Sequence, residues 1–147
     1  RLFDLGVFAH TQRYFHAGTL SGGLRYDFRR LESDAAFEGS EQKFTARKNN
    51  FNNLSASLGY SWEVDSMLTL KFNVARGFRA PTIAELASNG THEGTNRYEY
   101  GTSTLKSERS WQYDLGLELS YDHLQIGLSA FHNSINNFIF YNSLISL

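Results

Sequence analysis

The chain has 147 residues, 41% of them hydrophobic, with 12 Phe, 8 Tyr, 2 Trp, 12 Gly, a single Pro and a net charge of −1. That charge gives no reason to expect a nucleic-acid partner, and the absence of cysteine removes disulfides and thiolate metal sites. No run approaches the roughly 18 apolar residues of a membrane helix, which leaves open a β-barrel, whose strands need only about 9–11 alternating residues.

Strand after strand follows, each alternating apolar and polar residues with period two. The first covers residues 2–10, with Leu5, Val7 and Ala9 on one face, and residues 11–17 read as a turn. The second covers about 19–30, with Leu20, Leu24, Tyr26 and Phe28 opposing Arg25, Asp27 and Arg29. Residues 31–49 are charged and read mostly as a solvated loop. The third strand, about 51–62, sets Leu54, Ala56, Leu58, Tyr60 and Trp62 against Asn53 and serines. A turn at 63–67 leads to the fourth, about 68–76. The fifth covers about 110–121 and, after a tight turn at Asp122 and His123, the sixth begins at Leu124. The aromatic, Asn-rich tail is a candidate start of another strand.

Connections alternate between short (11–17, 63–67, 122–123) and long (31–49, 77–109), the pattern of an outer-membrane barrel with short turns at one end and long loops at the other. The fold expected is all-β: antiparallel up-and-down strands of a partial transmembrane barrel, with one long loop carrying a short helix. Its apolar face would meet outer-membrane lipid and its polar face a wet lumen. Tyr60, Trp62 and Tyr121 fall near the short-turn ends, and Phe28, Phe78 and Trp111 near the long-loop ends, as interfacial aromatic bands do. A soluble barrel or sandwich binding module, with the apolar face inside, is the competing fold. Six strands are too few to enclose a solute path, and the chain opens at Arg1 without a signal pattern, so residues 1–147 are expected to be part of one larger barrel domain.

The long excursion at 76–108 holds Pro81 and His92. Pro81 would end a strand, because it lacks an N–H, and suits the first turn of a short helix from Thr82 to Ala87. Asn89-Gly90 would follow as a turn. Arg79 is placed either to pair with Glu85 or another loop carboxylate, or to contact ligand. His92 and Glu93 could share one metal ion only in a turn, which Gly94 permits. His92-Glu93 is not the start of a zinc-protease HExxH, since Asn96 stands where the second His must be. His10, His16, His123 and His132 are expected at strand ends or turns, in structural roles. No nucleophile–base pair, phosphate loop or paired catalytic carboxylate emerges, so no enzyme is expected.

The stretch Gly77-Phe78-Arg79-Ala80-Pro81, continued by TIAEL, SNGTHEGTNRYEYG and TSTLKSERS, resembles TonB-dependent outer-membrane receptors. The FRAP box is intact at Phe78 to Pro81; the later box survives only as Thr102-Ser103-Thr104-Leu105-Lys106-Ser107-Glu108. The resemblance implies a bacterial outer-membrane location and import of haem, zinc or an iron complex. Energy would come from a TonB-type complex acting on a plug domain outside this chain. It also implies that His92, in the interval where haem receptors carry an iron-contacting histidine, contacts metal or haem. Glu93, Tyr98, Glu99 and Arg79 then become candidate ligand contacts, with His92 and Glu93 the metal donors. Haem or zinc would be cargo and not a resident cofactor. A siderophore or cobalamin is the alternative cargo.

Overall fold

The computed structural model describes residues 1–38, 40–44, 46–92 and 97–142, with backbone alone at Ala36, Glu38, Glu41–Phe44, Thr91, His92 and Arg97. Ten strands and one helix follow in chain order: β1 (Leu2–Phe15), β2 (Gly18–Ser33), β3 (Ala36–Glu38), β4 (Glu41–Phe44), β5 (Arg47–Glu63), β6 (Leu68–Arg79), α1 (Ile83–Ala87), β7 (Asn89–His92), β8 (Arg97–Tyr100), β9 (Glu108–Tyr121) and β10 (Leu124–Asn136). Six form one antiparallel up-and-down sheet in the order β1-β2-β5-β6-β9-β10, with β1 and β10 at its edges. The small hairpins β3–β4 and β7–β8 lie within the two long connections.

Short and long connections alternate as expected. At the short end Gly18 has φ +147°, and a Cβ there would lie 2.1 Å from the Ser61 carbonyl oxygen, so the turn joining β1 and β2 requires glycine. In the turn before β6, Asp65 Oδ1 accepts from the backbone N–H groups of Met67 and Leu68 at 2.7 and 2.8 Å.

Several strands outrun the sequence reading. β1 continues through residues 11–15, which read as a turn, and β2 and β5 extend into the stretch read as a loop, which also holds β3–β4. His10 and His132 therefore sit inside strands, not at their ends. Asn89-Gly90 is not a turn but the start of β7, paired with Tyr100 and Glu99. Residues 137–142 of the tail form no strand, and 143–147 lie outside the described residues.

The register explains the extensions. On β1 the apolar-face residues Phe3, Leu5, Val7 and Ala9 lie toward the long-loop end, and Thr11 and Arg13 lie toward the turn. On β10 the order is reversed: Leu124, Ile126, Leu128 and Ala130 lie near the turn, and His132 and Ser134 toward the loops. The apolar band crosses the hydrogen-bonded rows diagonally, as a level hydrocarbon slab must when strands tilt by roughly 35–45°. Leu24, Leu58, Leu115 and Leu128 on this face are each more than half exposed, the kind of apolar surface that lipid covers in a membrane barrel.

The opposite face is polar and cross-linked. Arg29 meets Asp4 at 2.7 Å, Arg25 meets Asp27 at 2.7 Å, and Asn73 donates to Asp114 at 2.8 Å. The two ion pairs are exposed and add little stability singly, but with the part-buried Asn73–Asp114 bond they suit a wet interior. The buried apolar cluster of Leu31, Phe51, Ala80 and Leu86 also lies here, because Leu31 and Phe51 share the parity of Arg29 along their strands. The long connection after β6 thus folds over the polar face.

Candidate functional site

The site is built from the strand exit outward. Ala80 and Pro81 are buried directly after β6. Thr82 caps α1: its hydroxyl accepts from the Glu85 N–H at 3.2 Å, and Glu85 Oε2 accepts from the Thr82 N–H at 2.8 Å. This reciprocal capping box satisfies two N–H groups that have no partner in the helix. Pro81 therefore precedes the cap instead of occupying the first helical position.

Arg79, the last residue of β6, ties this helix to the sheet. Its Nε and Nη2 donate to the two oxygens of Glu108 at 2.8 and 2.9 Å, and its Nη1 donates to Glu85 at 2.9 and 3.0 Å. Glu108 Oε1 also accepts the Ile139 N–H at 2.7 Å. One guanidinium thus joins the end of β6, α1, the start of β9 and, through Glu108, the segment after β10. Burial raises the Glu85 carboxyl, but the Thr82 N–H and the Arg79 guanidinium outweigh it, and the group titrates below the ordinary carboxylate value.

Apolar packing fixes the other side of α1. Leu86 and Ala80 pack with Leu31 and Phe51, and Ala87 and Leu105 lean against them. The β7–β8 hairpin returns onto the helix end, where the Gly101 N–H donates to Ser88 O at 2.7 Å and the Thr102 N–H to Glu85 O at 2.8 Å. A Cβ on Gly101 would lie 2.5 Å from Ala87 N and 2.6 Å from Ser88 N, so only glycine allows this approach.

Between α1, β8 and residues 138–141 lies a cavity of about 190 Å³, lined by Glu85, Ser88, Glu99, Tyr100, Leu105 and a run from Phe138 to Tyr141. Tyr98 and Tyr100 stand with ring centroids 4.8 Å apart, and Phe138 and Phe140 stack at 6.3 Å with 17° between planes. The exposed rings, flanked by the two acids Glu85 and Glu99, offer flat apolar surface to a planar ligand. A second, charged cleft of about 470 Å³ on the polar face runs past Asp4, Arg25, Asp27 and Arg29 to Arg79.

Of the site residues expected from sequence, Tyr98, Glu99 and Arg79 lie in this assembly. Tyr98 donates from its hydroxyl to Asn89 Oδ1 at 2.9 Å, and Glu99 is partly buried at the cavity wall. Arg79 pairs with Glu85, as one of its two expected roles required. The His92 backbone pairs with Arg97 at the far end of the hairpin, and Glu93 lies outside the described residues. Among the described residues no three His, Asp or Glu side chains gather as a metal cage. Sequence reasoning missed Gly101 and the tail aromatics, and gave Glu108 no separate role. Glu108 was signalled only by its place in the degenerate second box.

Residues 2–146 match the family described as TonB dependent receptor-like, beta-barrel. The chain belongs to the TonB-dependent receptors. It is therefore part of a bacterial outer-membrane β-barrel, which sets aside the soluble module. The ferric enterobactin receptor of Pseudomonas aeruginosa is 31% identical over 93% of this receptor segment. Transferrin-binding protein A of Haemophilus influenzae is 29% identical over 80% of it, and an iron-regulated outer membrane virulence protein of Vibrio cholerae 32% over 61%. The segment spans 17%, 12% and 14% of those three proteins. Its fold superposes on the copper transporter OprC with a TM-score of 0.75 at 20% identity, over 93% of this chain and 21% of that one. It superposes on a double mutant of the Serratia marcescens hemophore receptor HasR, in complex with its hemophore HasA and heme, with a TM-score of 0.71 at 22% identity. That match covers 92% of this chain and 25% of HasR.

Proposed function

We propose that this chain supplies six wall strands and one ligand-contacting extracellular loop of a receptor that imports an iron complex, haem or zinc across the outer membrane. A TonB-type complex would drive it through a plug domain encoded elsewhere in the whole protein, and the reading includes no catalytic step. The observation that carries it is the aromatic cavity, with Glu99 and Tyr100 on its wall, held over the polar face by the Arg79 clasp. Tyr98, Tyr100, Phe138 and Phe140 suit the flat rings of haem or of an aromatic siderophore. His92 and Glu93 are the metal donors of this reading, and Arg79 acts by positioning the loop beneath the ligand.

The 31% identity to a ferric enterobactin receptor favours a ferric siderophore as the second cargo reading within the same class. The test is uptake and equilibrium binding by the full-length receptor, offered haem, zinc and ferric siderophores with and without an energised inner membrane. Energy-dependent uptake of one of them supports the importer. Energy-independent behaviour toward all three would defeat it and leave the barrel standing.

A further inference from the structure

The apolar face is not uniformly ridged. Across β1, β2, β5 and β6 it carries a depression of about 480 Å³. Gly22 and Ala56 contribute almost no side chain and form its floor, Leu58 and Val74 stand along it, and Arg76 and Trp111 close the end nearer the long loops. Arg76 and Trp111 are direct ladder partners between β6 and β9, two register rows closer to the loops than Val74 and Tyr113 and on the same face.

Arg76 is out of place for a face that meets hydrocarbon. Its Nη1 donates to the Leu54 carbonyl, and it pairs with no carboxylate among the described residues. A guanidinium has five donors, so most of its capacity and all of its charge are left for something outside the sheet. A cation at the loop-side edge of the apolar band, beside a tryptophan, stands at the depth of outer-leaflet headgroups.

We propose that this groove is a specific lipid site: one acyl chain lies over Gly22 and Ala56, and a headgroup phosphate pairs with Arg76. The occupant is a phosphorylated glycolipid of the lipid A type, because the long loops, and hence Arg76, belong to the outward leaflet. Arg matches phosphate oxygens with two parallel N–H bonds, and Trp111 covers the sugar–acyl boundary. The inference rests on the membrane barrel and is independent of which cargo is imported.

The test uses the full-length receptor, purified in detergent, delipidated and titrated with bisphosphorylated lipid A, its dephosphorylated form and phosphatidylglycerol. Bound lipid is counted by native mass spectrometry. Bisphosphorylated lipid A should bind, and loss of its phosphates or the Arg76→Gln change should weaken binding by about tenfold, the scale of one charge-assisted contact. Arg76→Lys should retain the phosphate preference. Gly22→Leu should fill the groove: a Cβ there meets nothing nearer than 3.8 Å, so the barrel accepts the change. Heat-modifiable gel mobility verifies that each variant is folded, and Gly22→Leu decides the matter should Arg76→Gln fail to fold. Equal binding of the phosphorylated and dephosphorylated forms, or wild-type binding in folded Arg76→Gln or Gly22→Leu, overturns the site. Phosphatidylglycerol binding as tightly as lipid A overturns the glycolipid assignment. Cargo uptake need not change in any of these variants, so this result and the importer test fail separately.

Discussion

Arg79 and Glu108 face each other across the last pair of the β6–β9 ladder, and two parallel bonds of 2.8 and 2.9 Å join the guanidinium to the carboxylate. They stand where the sheet gives way to the loop. The edge of Arg79 not used by Glu108 reaches Glu85 on α1, so the rigid ladder sets the position of the helix.

Arg79→Ala should therefore release the loop and leave the barrel intact. Glu108 is largely buried and would keep the Ile139 N–H as a partner while losing its countercharge. The Arg79 side chain is 42% exposed, so solvent discounts the pair to about 1–2 kcal/mol of local stability. Arg79→Lys should fare little better, because an ammonium cannot span two carboxylates in one plane. Hydrogen exchange at residues 83–92 and 97–101 of the full-length receptor should rise in both variants, with the β5–β6 ladder unchanged. Wild-type protection of that stretch would show that the clasp is dispensable.

Acid should open the same clasp. The folded Glu85 carboxyl lies below its unfolded value of roughly 4.3, so its contribution is complete above that pH and is lost as pH falls through the lower folded value. Protease nicking of the loop should be flat from neutral pH to about 5 and rise below about 4. Glu85→Gln should blunt the rise. A loop equally sensitive at neutral and acid pH would argue that carboxylate pairing does not hold it.

Two glycines of one loop should behave oppositely. Gly101→Ala drives a methyl into the backbone of residues 87 and 88 and should cost about 1–3 kcal/mol, separating β8 from α1. Gly90→Ala places its methyl in open space and should stay within about 0.5 kcal/mol. Near-ultraviolet circular dichroism of Tyr98 and Tyr100 together with loop exchange would separate them. Equal effects would mean that the hairpin does not dock through Gly101.

The strands were legible wherever a hydrocarbon face enforces alternation, as at residues 20–28, 54–62 and 111–121. They faded where the diagonal band leaves a strand. Thr11 and Arg13 on β1, and His132 and Ser134 on β10, are outward residues beyond the apolar band, so period two dissolves into polar sequence and reads as turn or tail. The short helix was legible from Pro81, but the Thr82–Glu85 capping box, which sets Pro81 ahead of the helix, was not read from the sequence. Glu108 was not legible as a partner of Arg79, because the two lie 29 residues apart and meet only through the ladder register. Gly101 is recognisable only once the backbone it touches is placed.

The aromatic wall and His92 make separable predictions about cargo. Tyr100 and Phe140 line the cavity, and their rings are more than half exposed, so removing either disturbs little packing. Tyr100→Ala and Phe140→Ala in the full-length receptor should each weaken binding of a flat aromatic complex about tenfold, or roughly 1.4 kcal/mol, within reach of one ring contact. Binding of free zinc should not change. His92→Ala should do the reverse for zinc, which loses an imidazole donor, and should weaken haem through its iron while sparing a ferric siderophore whose metal is already enclosed. Calorimetric titration of the three variants with haem, zinc and a ferric siderophore gives a pattern, not a single loss. Haem and zinc both weakened by His92→Ala would assign the hairpin tip to metal contact. A siderophore weakened only by the ring substitutions would assign the cavity to an enclosed iron complex. Unchanged affinity for every cargo in all three variants would remove both this loop and the segment after β10 from the ligand site.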